Sequence, residues 1–202
     1  MRGPAWVVPG ELALVRMPTS VERLRALRSA GIGAVVCLAT DAELWPFWGG
    51  PISYERAARS EGLEVLMAPT PPGGAPGPAE LLRMCRWIER RVRSGRAVAV
   101  HCFAGVGRSG AVAAAYLVYE RGMDPDSAIG EVRRARPGAV ETPEQEEAVR
   151  EFHSFLMAAV WGDVPPSLAL NPPSVGRPGI LRRARAEALR IGRRLARALP
   201  IP

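Results

Sequence analysis

The 202-residue chain contains no lysine. All 27 of its basic side chains are arginine, and Asn171 and Gln145 are its only side-chain amides. Scarce amides fit a heat-stable protein, whereas absent lysine runs against hyperthermophile composition and fits a GC-rich genome; a thermophilic source is therefore an expectation. No apolar run reaches the roughly 18 residues of a membrane-spanning helix, and Met1–Pro9 lacks the apolar core of a secretory signal. A cytoplasmic protein is expected. Three cysteines, Cys37, Cys85 and Cys102, are an odd number without metal-ligand spacing, which excludes a disulfide framework and a cysteine-rich metal site. Cys37 and Cys85 read as core thiols, with protection of an oxidised Cys102 by a disulfide as the alternative use of one of them. There are no internal repeats.

Charge is unevenly distributed. Residues 1–176 carry 19 Arg against 19 Asp and Glu, while residues 177–202 carry eight Arg and one Glu, so the whole formal charge of +7 lies in the tail. From Ile180 to Leu199 the apolar positions Leu181, Ala184, Ala188, Ile191, Leu195 and Leu199 recur at helical spacing among arginines. This predicts a basic amphipathic helix over 180–202, behind a proline-rich linker at 162–179 and a domain at 1–161. The helix either packs on the domain or contacts a polyanion, RNA or an anionic membrane surface.

In the domain, apolar strand-like runs alternate with helical ones. Trp6–Val8 and Leu12–Val15 read as strands, as do Val35–Leu38, the stretch 63–67 and Ala97–Val100. Helices are expected from a Thr19/Glu22 capping box to about Ala30, near 52–61, from Ala79 to Ser94, after Gly110, from Asp124-Pro125 to Pro137, and from Thr142-Pro143 to about Val160. The aromatic stretch Trp45–Gly50 is assigned no element, and Pro69–Pro78 reads as a rigid loop. The alternation predicts an α/β fold, a mostly parallel sheet covered by helices on both faces.

Between a strand and a helix lie His101-Cys102-Phe103-Ala104-Gly105-Val106-Gly107-Arg108-Ser109-Gly110. A strand-to-helix turn aims successive backbone N–H groups and the positive helix end into its concavity, making an anion cup. A cysteine at its base is a thiolate candidate, held at about 3.5–7.5 rather than the free-thiol value. Arg108, six residues on, can grip two phosphoryl oxygens with its planar fork, and Gly105 and Gly107 let the main chain approach a ligand.

These residues resemble the signature His-Cys-x5-Arg-Ser/Thr of the cysteine-based protein tyrosine phosphatases, in their dual-specificity and archaeal-like branch. Gly31–Leu38, Gly62–Leu66 and Arg133–Val140 extend the resemblance over roughly residues 6 to 160. It implies the protein tyrosine phosphatase fold and a two-step hydrolysis through a cysteinyl-phosphate, with no metal or other cofactor. Cys102 is then the nucleophile. Arg108 and the N–H groups from Phe103, Ala104, Gly105, Val106 and Gly107 onward bind the phosphoryl oxygens, His101 braces the loop, and Ser109 donates to the departing sulfur.

The family also places an aspartic acid about thirty residues before the nucleophile, to protonate the leaving alkoxide. Here that position falls near Pro72, and no carboxylate occurs from Val65 to Ala79. Glu141, in a loop that this family sets beside the site, is the leading substitute, followed by Asp41 and Glu80. Gln145 either orients water or lies on a helix surface. Trp45, Phe47 and Trp48 either wall the site or pack as core or lid. Arg133, Arg134 and Arg136 either touch substrate or are solvated, and His153 reads as an exposed or capping residue.

The expected activity is hydrolysis of phosphotyrosine, with phosphoserine and phosphothreonine as further substrates, in phosphorylated protein partners. An RNA 5′-triphosphatase or nucleotide phosphatase is the alternative enzyme, because pyrophosphate leaves without a proton. A phosphate-binding module of low turnover is the alternative of another class.

Overall fold

The computed structural model describes residues 3–161. The expected linker at 162–179 and basic helix at 180–202 lie outside the described residues, as does any polyanion contact through them.

Five strands form one sheet: β1 (Ala5–Val8), β2 (Leu12–Val15), β3 (Ile32–Cys37), β4 (Glu64–Met67) and β5 (Ala97–His101), in the order β1-β2-β5-β3-β4. Only β1 runs antiparallel, on the β2 edge; β2, β5, β3 and β4 run parallel to one another. The strands are apolar throughout because both faces are covered, and successive side chains divide between two cores. Leu12, Leu14, Ala34, Val36, Val98 and Val100 face one core, while Ala13, Val15, Val35, Cys37, Ala97 and Ala99 face the other.

Helices α1 (Val21–Ser29), α2 (Asp41–Trp48) and α3 (Pro51–Ser60) supply the second core. The first is built by α4 (Pro78–Arg93), α5 (Gly107–Arg121), α6 (Pro125–Ala135) and α7 (Pro143–Trp161). Every residue of α5 from Gly107 to Tyr119 is buried, which explains its apolar sequence on all sides. Among the described residues no helix is long and apolar enough to cross a membrane.

The α/β pattern and most elements agree with the sequence reading to within a residue or two, except that β3 begins at Ile32 rather than Val35 and α5 begins at Gly107 rather than after Gly110. Two points are corrected. The expected Thr19/Glu22 capping box is not formed, because α1 is capped at Ser20; the N3 position is then Arg23, which cannot accept the reciprocal bond. The box occurs instead at Thr40 and Glu43, opening α2 where no helix was assigned. Pro46 and the glycines at 49 and 50 hide this helix in the sequence. It persists because the box closes its start and Gly49, left-handed at φ 67°, closes its end.

The parallel strands β2, β5 and β3 all end at the same rim, and the chain leaving β5 there is the Cys102 loop. Such a rim is where open α/β sheets collect their functional loops.

Candidate active site

Cys102 leaves the central strand β5 and lies beneath the start of α5, only 3% exposed. Burial pushes its thiol up, but the N–H of Ser109, the Ser109 hydroxyl, the N–H of Val106 and the charge of Arg108 outweigh burial and hold it below the ordinary thiol value. The Ser109 Oγ to Cys102 Sγ distance is 3.6 Å. The other two thiols are different: burial pushes Cys37 up to about 12 and Cys85 well above its usual value. Only Cys102 has the surroundings of a nucleophile.

The loop is tight enough that side chains are excluded at three points. A Cβ at Gly105, which is left-handed at φ 71°, would collide with the Val15 carbonyl; one at Gly110 would stand 2.8 Å from the Val140 nitrogen. At Gly107 it would strike the Glu141 carboxylate and come within 2.8 Å of the Gln145 amide. Glu141 therefore reaches the phosphate loop itself, although its side chain remains exposed to solvent.

Buried His101 braces the loop from below. Its Nδ1 lies 3.1 Å from the Cys102 carbonyl, which can only accept, so Nδ1 carries the proton and Nε2 accepts from the Tyr54 hydroxyl at 2.7 Å. Burial draws His101 down to about 4, keeping the ring neutral at ordinary pH. From outside, Arg136 donates to the Ala104 carbonyl at 3.0 Å.

Arg108 is 5% exposed, and its guanidinium is fully engaged on one edge. Nη1 donates to the carbonyls of Thr70 (2.7 Å) and Leu38 (3.4 Å) and to Glu43 Oε2 (2.9 Å), while Nη2 donates to Glu43 Oε1 at 2.6 Å. Burial opposes the cation, but Glu43 and the Cys102 charge prevail and raise its pKa. The hydrogen bonds from Arg108 hold Glu43 below the usual carboxylate range, against burial and with help from Thr40.

The Glu141 segment is held just as firmly. Val140, 1% exposed, has a left-handed backbone at φ 58°, a strained conformation for a β-branched residue. Arg133 clamps it, donating to the carbonyls of Ala139 (3.0 Å) and Val140 (2.8 Å). Gln145 accepts from the N–H of Glu141 at 2.8 Å and of Thr142 at 3.4 Å, and donates to the carbonyls of Gly73 and Gly74, both at 3.3 Å. Thr142 also donates to Gly73 at 3.1 Å. Gln145 is thus neither on a helix surface nor free for water; it fastens the proline-rich loop to the Glu141 segment.

Other sequence candidates fall elsewhere. Asp41 and Glu80 are exposed in the first turns of α2 and α4. Arg134 pairs with Glu131 on the surface of α6. Arg133 supports the loop rather than facing the cup. Trp48 is core, edge-on to Tyr54 with its indole N–H on the Pro18 carbonyl, while Trp45 is exposed and Phe47 stands 6.5 Å from Phe103. His153 is half-buried on α7. A groove of about 570 Å³ lined by Arg59, Leu63, Glu64 and Arg91 lies at the opposite end of the strands and shares none of this chemistry.

Sequence reasoning missed Glu43 and Tyr54. The spacing Thr40-x-x-Glu43 was the available signal for the first; a tyrosine 47 positions before its histidine partner leaves none.

Comparison with known proteins places these features in context. A family model described as "Swiss Army Knife protein, DSP-PTPase phosphatase domain" matches residues 1–149. The chain is 31% identical over 164 residues to protein tyrosine phosphatase domain-containing protein 1 of Bos taurus, covering 76% of this chain and 20% of that one. It spans 10% and 11% of the lengths of the relatives of that name in Mus musculus and Danio rerio. Among solved structures, Tk-PTP in its active form is 41% identical with a TM-score of 0.67, covering 75% of this chain and 97% of that one. Human DUSP28 is 26% identical with a TM-score of 0.61, covering 78% and 97%.

Removing the charge of Glu43 while keeping its shape leaves Arg108 a buried cation without its counter-ion. Glu43→Gln is expected to lower the unfolding free energy by about 3 kcal/mol in urea titrations. Because an oxyanion in the cup can then compensate Arg108, added tungstate should raise the melting temperature more in the variant than in the parent. Unchanged stability would show that the pair is dispensable.

The depressed pKa of His101 sets a second expectation. Between pH 6.5 and 4 the unfolded chain takes up a proton on this ring that the native chain refuses, so stability rises with pH across that window and is lost as pH falls through it. The full effect is about 3 kcal/mol. His101→Asn should flatten this part of the profile, as read by urea unfolding at pH 4.5 and 7; an unaltered slope would contradict the assignment.

Proposed function

The chain belongs to the DSP-PTPase family of cysteine phosphatases, and from that premise we propose that it hydrolyses phosphotyrosine in proteins, with phosphoserine and phosphothreonine as further substrates, through a cysteinyl-phosphate. The observation that carries this reading is the convergence of the Val106 and Ser109 N–H groups, the Ser109 hydroxyl and the Arg108 charge on one sulfur. A site arranged to favour an anion at Cys102 has also collected the donors a phosphoryl group needs.

In the first step the Cys102 thiolate attacks phosphorus and the ester P–O bond breaks. Arg108 and the N–H groups from Phe103 to Arg108 hold the equatorial oxygens, and Glu141 gives its proton to the leaving oxygen. Water then attacks the phosphorus of the cysteinyl-phosphate. Glu141, now a carboxylate, takes the proton of that water, the S–P bond breaks, and the Ser109 hydroxyl steadies the returning thiolate. Inorganic phosphate leaves.

Two features support Glu141 as the acid. Its carboxylate lies against Gly107 of the phosphate loop, and the Pro69–Pro78 loop, which holds no carboxylate, is tied to the same segment through Gln145 and Thr142. The chemistry is complete without a metal, since the cup donors and Arg108 supply the charge stabilisation.

Cys102→Ser is expected to abolish turnover of an aryl phosphate while retaining tungstate binding, and the parent should keep its rate in EDTA. Turnover by the serine variant, or loss of the parent's activity on chelation, would overturn the covalent metal-free mechanism. Release of phosphate from triphosphate-ended RNA but not from phosphopeptides would overturn the substrate assignment.

Glu141→Gln should slow an alkyl phosphate by about 10²–10³ and an activated aryl phosphate much less, and should remove the basic limb of the pH–rate profile. Equal slowing of both substrates would reject Glu141 as the acid.

A further inference from the structure

Strand β4 ends one side of the sheet: β3 pairs with it on one flank, and among the described residues no strand follows on the other. Among the same residues, no hydrogen bond outside that pairing engages the main chain of Val65, Leu66 or Met67. In a parallel ladder a strand spends only half of its N–H and C=O groups on one neighbour, so the other half of those on β4 face outward. Such an edge is a template for a further strand.

This edge lies in a groove. The cavity of about 570 Å³ takes Arg59 from α3, Arg91 from α4, and Leu63, Glu64 and Val65 from β4 and its approach. Helix α3 packs on one face of the sheet and α4 on the other, so a groove walled by both lies over the strand edge between them.

Both walls are cationic. Arg91 lies over the Trp87 ring, 4.1 Å from its centroid, with Nε and Nη2 at 3.0 and 2.9 Å from Glu64 Oε2. Arg96 reaches the same carboxylate. Arg59 is exposed and pairs with Glu55, one turn earlier on α3. A fourth guanidinium, Arg28, stands at the Gly62 rim of the groove, where a Cβ would meet its Nε at 3.5 Å. It donates to the Ile32 carbonyl and has no carboxylate partner among the described residues. Four arginines thus face two carboxylates, Glu55 and Glu64.

That excess of positive charge selects what can add to the edge. Residues 177–202 of this chain carry eight Arg and one Glu and are repelled by it. A second copy pairing β4 with β4 would bring two arginine-lined edges together, the device by which edge strands are guarded against self-association. A nucleic acid would meet the arginines but has no peptide groups to continue the ladder, and the Leu63 and Val65 side chains offer its phosphates nothing. An extended peptide bearing carboxylates satisfies both requirements. Its main chain continues the sheet, and its alternate side chains turn to opposite faces, one set toward Arg59 and the other toward Arg91 and Arg96.

We propose that the β4 edge is a docking site for an extended acidic segment of a protein partner, which adds to the sheet as a further strand between Arg59 and Arg91. The groove shares no residue with the phosphate cup, so this surface does not depend on the catalytic reading. Its placement suits that reading, because β4 runs on from Met67 to Thr70, whose carbonyl holds Arg108.

The probe is a fluorescein-labelled peptide of about ten residues alternating glutamate with valine, titrated with the full chain and followed by anisotropy. It should bind, and a peptide with proline in place of every valine, equal in charge but without those N–H donors, should bind about tenfold more weakly. Arg59→Glu reverses one wall at an exposed position and should weaken the glutamate–valine peptide about tenfold, with melting temperature and aryl phosphate turnover unchanged. Equal affinity for the two peptides, or an affinity untouched by Arg59→Glu, would put the contact elsewhere, the basic tail included, and overturn the proposal. So would a single-stranded RNA that binds more tightly than the peptide and is weakened by the same substitution, or a dimer in sedimentation velocity that the peptide dissociates. A parent that binds the peptide but does not turn over an aryl phosphate would overturn the catalytic reading alone.

Discussion

The bidentate pair between Arg108 and Glu43 holds a buried guanidinium in place beside Cys102, and the rest of the site is arranged around it. The two side chains come from opposite sides of the site, Arg108 from the first turn of α5 and Glu43 from the first turn of α2. An arginine so deeply buried needs acceptors for its donors. Glu43 takes one from each terminal nitrogen, and the carbonyls of Leu38 and Thr70, at the ends of β3 and just beyond β4, take more. Two strand ends and two helices are thereby joined at one side chain. Glu43 also closes the capping box of its own helix, accepting from the Thr40 N–H at 2.9 Å, so helix stability and clamp orientation depend on the same carboxylate.

A second arrangement, on the opposite flank, positions the Glu141 carboxylate against the phosphate loop. The sharp backbone at Val140 is costly for a β-branched residue and is sustained by Arg133 on two carbonyls, by burial of the valine, and by close packing against Gly110. Its result is that Glu141 turns toward Gly107 instead of continuing into α7. Gln145, one turn into that helix, joins this segment to the loop that carries no acid. Glu141 and its neighbouring loop therefore form one unit braced against the phosphate loop.

Much of this was legible in the amino-acid order, and what was not has a common cause. The strand–loop–helix at 97–121, the alternation of strands and helices, and the roles open to Cys102 and Arg108 depend on residues close together in the chain. The empty stretch from Val65 to Ala79 was legible too, and it directed attention to Glu141. The misplaced capping box at Thr19 and the unassigned helix at 41–48 share one explanation. Two Ser/Thr-x-x-Glu spacings occur within 25 residues, and which of them closes depends on where the helix starts, a matter settled by what its apolar face packs against.

The sequence by itself determined the mostly parallel α/β architecture and the strand-to-helix turn that joins Cys102 to Arg108, because each rests on local periodicity or on a short contiguous motif. Tertiary structure alone decided that Glu43 is the partner of Arg108, that Tyr54 donates to His101, that Gln145 is a clamp, and that Phe47 meets Phe103. Those pairs are separated by up to 72 residues along the chain, as between Gln145 and Gly73. No periodicity links positions that far apart; they meet because parallel strands bring their ends to one rim of the sheet, and that register follows from the packing of both cores at once.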